Sequence, residues 1–222
     1  MEMKTKVNPK KVFSIVGLGL LMYQLSGEVT VILRNRLIGM INEDILTKPW
    51  MPYLTTIVAC YLIGFPIFLL IMKNLPNGEI KESKKLGVGG AIKVCLITFA
   101  VGTVFGMLGS ILNNLVTMII GSEPNNGLDA IVERNSWILT LGFVGILGPI
   151  VEEIIFRKVI LNKVRPYGDK VAIFTTAILF GIFHGNVQQL FYPIGFGIVL
   201  GYVALKTGTI KYTIMAHIFN NS

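Results

Sequence analysis

The sequence predicts an all-α polytopic membrane protein, a bundle of about seven transmembrane helices around a polar cavity. Three observations carry this. Hydrophobic residues fill 53% of the 222 positions and charged residues only 14%, whereas soluble domains carry about a quarter charged residues. Mean hydropathy is +0.68, and the apolar positions gather into stretches suited to helices crossing a hydrocarbon layer of roughly 30 Å. The 20 Lys and Arg residues also alternate between loops, 16 on one side and 4 on the other.

The first predicted span, residues 12–33, follows Lys4, Lys6, Lys10 and Lys11 and carries Gln24 and Glu28. A lysine-rich start before an apolar run could be a secretory signal. No small-residue cleavage site follows, however, and apolar character resumes at Val29, so an uncleaved helix is expected. The second span, residues 50–72, leads into a loop, 74–87, where Pro76, Asn77 and Gly78 precede a lysine run. That composition suits a cytoplasmic turn near anionic headgroups. The third span covers residues 91–120 and contains Gly102-x-x-x-Gly106, a spacing that lets helices approach closely in lipid. The loop 121–136, with Glu123, Asp129, Glu133 and Arg134, belongs outside. Cys60 and Cys95 fall within spans and behave as small apolar residues.

The fourth span, residues 137–160, contains Gly148-Pro149, where proline removes a backbone donor and bends the helix. The fifth, 171–184, and the seventh, 210–221, are short; the sixth, 190–205, carries Gly197-x-x-x-Gly201. Cytoplasmic loops collect Lys and Arg, so the 16-residue side is assigned to the cytoplasm together with the N-terminus. The net charge of +8 is thereby explained by topology, and no nucleic-acid partner is expected. Membrane lipid is the expected surrounding. One compact domain, residues 1–222, is the simplest organisation, with the chemistry confined to 148–221.

That chemistry is legible because charged groups near the bilayer centre cost roughly 2.5 to 3.5 kcal/mol each on insertion scales. Glu152, Glu153 and Arg157 lie in the fourth span, His184 ends the fifth and His217 lies in the seventh. Glu153 and Arg157 are four residues apart and share a face, which favours a charge-assisted pair. Glu152 is rotated by about 100° from Glu153, so it is free to face a cavity as a general base. Phe180 and His184 share a face, as do His217 and Asn221. A His and an Asn on one face can together donate to a developing oxyanion. A plain buried ion pair and two core histidines would be the structural alternative; five such groups on three of the last four spans argue for a site.

Glu152-Glu153-x-x-x-Arg157, Phe180-x-x-x-His184 and His217-x-x-x-Asn221, in this order on successive hydrophobic helices, resemble the three signatures of the CAAX protease and bacteriocin-processing family of intramembrane endopeptidases (CPBP, or ABI). The resemblance implies a helical bundle with a conical cavity open toward cytoplasm and membrane. It implies that Glu152 and His184 activate water, that His217 and Asn221 stabilise the oxyanion, and that Glu153, Arg157 and Phe180 support the site. Family members usually continue into another hydrophobic helix, which would make eight. The implied substrate is a membrane-associated peptide or protein, prenylated in a eukaryotic or archaeal host, or a leader, bacteriocin or signalling peptide in a bacterial cell membrane. A short chain rich in Lys and Ile suits the bacterial setting.

No cofactor is required by this reading. As an alternative, Glu152, His184 and His217 could supply three zinc ligands and leave a position for water, although no His-Glu-x-x-His helix is present. A non-catalytic scaffold or immunity protein is a second function class, and a small transporter or proton relay a third. Transporters usually carry broken helices in two related halves, whereas these polar groups are confined to one half.

Overall fold

A computed structural model of the chain describes residues 8–78, 84–121 and 137–222. Among these the chain forms no strand and, besides a short 3-10 turn at Glu43–Ile45, seven helical stretches: α1 (Pro9–Gly39), α2 (Met51–Met72), α3 (Val88–Ile120), α4 (Trp137–Tyr167), α5 (Asp169–Phe183), α6 (Phe191–Thr207) and α7 (Lys211–Asn221). The four stretches α1 to α4 are long and apolar enough to cross a membrane, and α6 is a shorter apolar helix. All seven expected spans are therefore helical, and α5 and α7, at 15 and 11 residues, are the short ones. The expected outer loop 121–136 lies outside the described residues beyond Gly121, as do Lys4, Lys6 and Lys81.

The chain groups into two compact units. The first comprises Met1–Pro76 and Leu128–Phe143. In it α1 buries a single stripe, Val12, Val16, Gly19, Leu20, Tyr23 and Ser26, at helical spacing. Gly19 meets Phe68 and Met72 of α2, and the Ser26 hydroxyl reaches Ala59 O at 2.9 Å. Leu21, Leu25, Val29 and Leu33 on the remaining surface of α1 stay exposed, as lipid-facing side chains do. Midway along α2 the helix widens into π-type turns over Ile57–Gly64. Tyr53 hydrogen-bonds Thr140 at 2.8 Å, which joins α2 to the start of α4.

The second unit, Asn77–Gly127 and Val144–Ser222, holds the rest. Here α6 packs on both α3 and α5, while α7 packs on α3 and on the Gly148–Glu153 segment of α4. Small residues set these approaches, but not in the pairing the sequence suggests. A side chain at Gly102 would run into the Tyr192 ring, and one at Gly109 into the Gln188 carbonyl; at Gly106 none of the described atoms is close. The contact stripe of α3 is therefore Gly102 with Gly109, two turns apart, because α6 and the segment before it cross α3 at those levels. Gly197 and Gly201 do face α5 together, against Ala177 and Ile173.

Pro149 of α4 is absorbed by altered turns. Wider π-type turns occupy Leu141–Leu147 just before Gly148-Pro149, and again Ile154–Ile160 just after the glutamates. Such turns shift the angular position of the residues that follow and recur at functional sites. Between α4 and α5 the chain reverses at Gly168, whose φ of 122° is open to glycine and strained for other residues.

Candidate active site

The acidic pair lies at the end of the Gly148–Glu153 segment of α4, and its two carboxylates are in different surroundings. Glu153 is fully buried, whereas the Glu152 side chain is 27% exposed. Arg157, itself 1% exposed, brings Nη1 to 3.4 Å from Glu153 Oε1. The face-sharing pair and the freer neighbour read from the spacing are both present.

His217 of α7 then joins the two acids. Its Nδ1 is 2.9 Å from Glu153 Oε1, and its Nε2 is 3.5 Å from Glu152 Oε2. With the carboxylate accepting, Nδ1–H is the donor toward Glu153. A neutral ring so held presents the Nε2 lone pair to Glu152, while a charged ring donates to both acids. Spacing alone paired His217 with Asn221; the fold gives it this additional tie to Glu153, so that Glu153 is gripped by both Arg157 and His217.

Phe180 of α5 is the apolar centre of the cluster and is 1% exposed. The Arg157 guanidinium sits 4.4 Å from its ring centroid, a cation–π contact. Both imidazoles meet the same ring edge-on, His184 at 5.0 Å and His217 at 5.8 Å between centroids. His184 follows the last residue of α5, and its Nδ1 lies 2.8 Å from the carbonyl of Phe180 one turn back, which leaves Nε2 without a hydrogen-bond partner among the described residues. Among the described residues no hydrogen bond or ion pair joins His184 to Glu152; the shared Phe180 ring is what brings the second histidine to the cluster.

Several members carry no chemical signal in the sequence. Phe196 of α6 packs edge-on against His217 at 4.9 Å, and Tyr192 stacks on Phe196 at 5.4 Å. Gly197 leaves room for Arg157: a Cβ there would stand 3.2 Å from Arg157 Nη2. Asn220, rather than Asn221, anchors α7 to α3, donating from Nδ2 to Thr98 Oγ1 at 2.9 Å. Tandem asparagines on adjacent helical faces could have suggested that one is structural. Asn221 is exposed, and its Nδ2 lies 3.4 Å from Val144 O of α4.

Among the described residues no three His, Cys, Asp or Glu side chains converge to hold a metal ion. His217 directs Nδ1 at Glu153 and Nε2 at Glu152, while His184 has Nδ1 on a backbone carbonyl.

Comparison with known proteins falls on the same segment. Residues 134–222, which hold every member of the cluster drawn from α4 to α7, match the family model described as type II CAAX prenyl endopeptidase Rce1-like. A protein of Bacillus subtilis (strain 168) named as a membrane peptidase, YdiL, is 25% identical over 186 residues, covering 82% of this chain and 72% of the relative. The membrane-embedded CAAX protease MroQ of Staphylococcus aureus (strain USA300) is 27% identical over 179 residues, 74% of this chain and 69% of the relative. Over this segment the chain is similar to the CAAX prenyl endopeptidase family, in keeping with the resemblance carried by its motifs. No solved structure matches it significantly. The three motifs that resemble the family's signatures fall on the α4 acids, the end of α5 and the C-terminal half of α7.

Proposed function

We propose that this protein is an intramembrane endopeptidase that hydrolyses a peptide bond in a membrane-associated peptide or protein, with Glu152 as the general base. The observation that carries the reading is the asymmetry of the acid pair. Glu153 is buried and tied to Arg157 and His217, while Glu152 is part-exposed and faces His217 Nε2 at 3.5 Å. Both relatives above are named as membrane peptidases or proteases, which supports peptidase activity at the coarser level.

In the proposed reaction Glu152 takes a proton from water and the oxygen attacks the scissile carbonyl. His184, with Nε2 unengaged, helps to orient that water. The carbonyl oxygen becomes an oxyanion, for which the candidate donors are the Asn221 amide and the Nε2–H of a charged His217, released from Glu152 once that carboxylate has taken the proton of the water. As the intermediate collapses, the carbon–nitrogen bond breaks and the proton held by Glu152 passes to the leaving amine. Glu153, Arg157 and Phe180 hold His217 and His184 in place. No metal step is invoked. The basic loops orient the N-terminus and this end of α4 toward the cytoplasm.

The test is cleavage of lipidated and leader-type peptides by the protein in proteoliposomes. Glu152→Gln and His184→Ala should each lower turnover by roughly 10²- to 10⁴-fold with unfolding temperatures unchanged, since neither residue is fully buried. Undiminished turnover in Glu152→Gln would refute the assignment.

A further inference from the structure

Beside the catalytic cluster, with Arg157 in its wall and neither glutamate nor histidine of that cluster, a cavity of about 300 Å³ lies between the end of α4 and the turn from α6 to α7. Four cationic residues line it, Arg157, Lys158 and Arg165 from α4 and Lys211 from α7, and no carboxylate does. Arg157 is paired with Glu153 and Arg165 with Asp169. Lys158 and Lys211 are exposed and have no acidic partner among the described residues. The rest of the wall is largely apolar, with Leu161, Leu205 and Ile210.

We propose that this cavity is a binding site for the phosphate headgroup of an anionic phospholipid, held between Lys158 and Lys211. A net positive lining without a counter-charge calls for an anion. The apolar wall adds a requirement that a soluble anion does not meet, since it is stabilised only by contact with hydrocarbon. The cavity also lies where apolar spans end in basic residues, which is the depth of headgroups, and basic pockets between transmembrane helices recognise such groups. The first turn of α7 adds to the field: its Lys211 N–H donates to Thr209 Oγ1, but the N-cap residue Ile210 supplies no side-chain cap, and the positive dipole end lies beside the cavity. This site is independent of the hydrolytic reading.

The test is a lipid titration of the delipidated full chain in neutral detergent, followed by native mass spectrometry. Phosphatidylglycerol should bind about tenfold or more tightly than phosphatidylcholine, and Lys158→Gln with Lys211→Gln should abolish that preference, at about 1 kcal/mol for each cation near a membrane surface. Replacing Lys170 and Lys206, exposed cations that do not line the cavity, should leave the preference intact. Equal affinity for the two lipids in the unsubstituted protein overturns the proposal, whatever the stability of the variants. So does equal weakening by the Lys170 and Lys206 pair, which would mark general surface charge. Full displacement of phosphatidylglycerol by millimolar inorganic phosphate would identify a soluble-anion site instead and also overturn it.

Discussion

Replacing Arg157 with methionine keeps most of the stem volume while deleting the charge that neutralises Glu153. Both side chains have no solvent exposure, so the carboxylate left behind cannot recover its lost partner from water. Breaking a buried pair in this way costs about 3–5 kcal/mol, and the cation–π contact to Phe180 is included in that loss. Glu153→Gln alone should cost a similar amount, because it leaves the guanidinium uncompensated. The double variant should behave differently. Arg157 Nε, Nη1 and Nη2 and Glu153 Oε2 make no hydrogen bond among the described residues, so the native pair is imperfectly satisfied. Exchanging both partners should therefore return stability to within about 1–2 kcal/mol of the parent, and the amide oxygen introduced by Glu153→Gln could still accept from His217. The assay is a double-mutant cycle on unfolding by sodium dodecyl sulfate in mixed micelles, monitored by circular dichroism. A single-variant cost below about 1 kcal/mol, or strictly additive losses, would refute the buried-pair reasoning.

Gly197→Ala should destabilise by about 1–3 kcal/mol through overpacking, since its Cβ would stand 3.1 Å from Ala177 Cα and 3.2 Å from Arg157 Nη2, whereas Gly201→Ala, with its nearest contact at 3.5 Å, should be close to neutral in the same unfolding assay. The two asparagines should separate: Asn220→Ala loses the bond to Thr98 and about 0.6–1 kcal/mol, while Asn221→Ala should leave stability within about 0.5 kcal/mol and lower kcat by roughly tenfold or more, as removal of an oxyanion donor does. Reversed effects on stability and turnover would show the assignments to be exchanged. Turnover should survive dialysis against a strong chelator; loss that zinc alone restores would refute the metal-free mechanism.

The sequence by itself determined the class, the seven helices and the residue types of the site. Hydropathy is a local property, and a side chain four positions from another shares its face in any α-helix. The pairing of Glu153 with Arg157 and of Phe180 with His184 is therefore written in the sequence itself. For the same reason the different exposure of Glu152 and Glu153 follows from their rotation about one axis. Contacts between helices are not encoded at any fixed spacing. His217 bridging both glutamates, Phe196 against its ring and Thr98 holding Asn220 each depend on which faces of distant segments meet. Only the tertiary structure decided these. It also replaced the expected Gly102 and Gly106 stripe with Gly102 and Gly109, because the crossing of α6 over α3, rather than the spacing within α3, determines which glycines a neighbour touches.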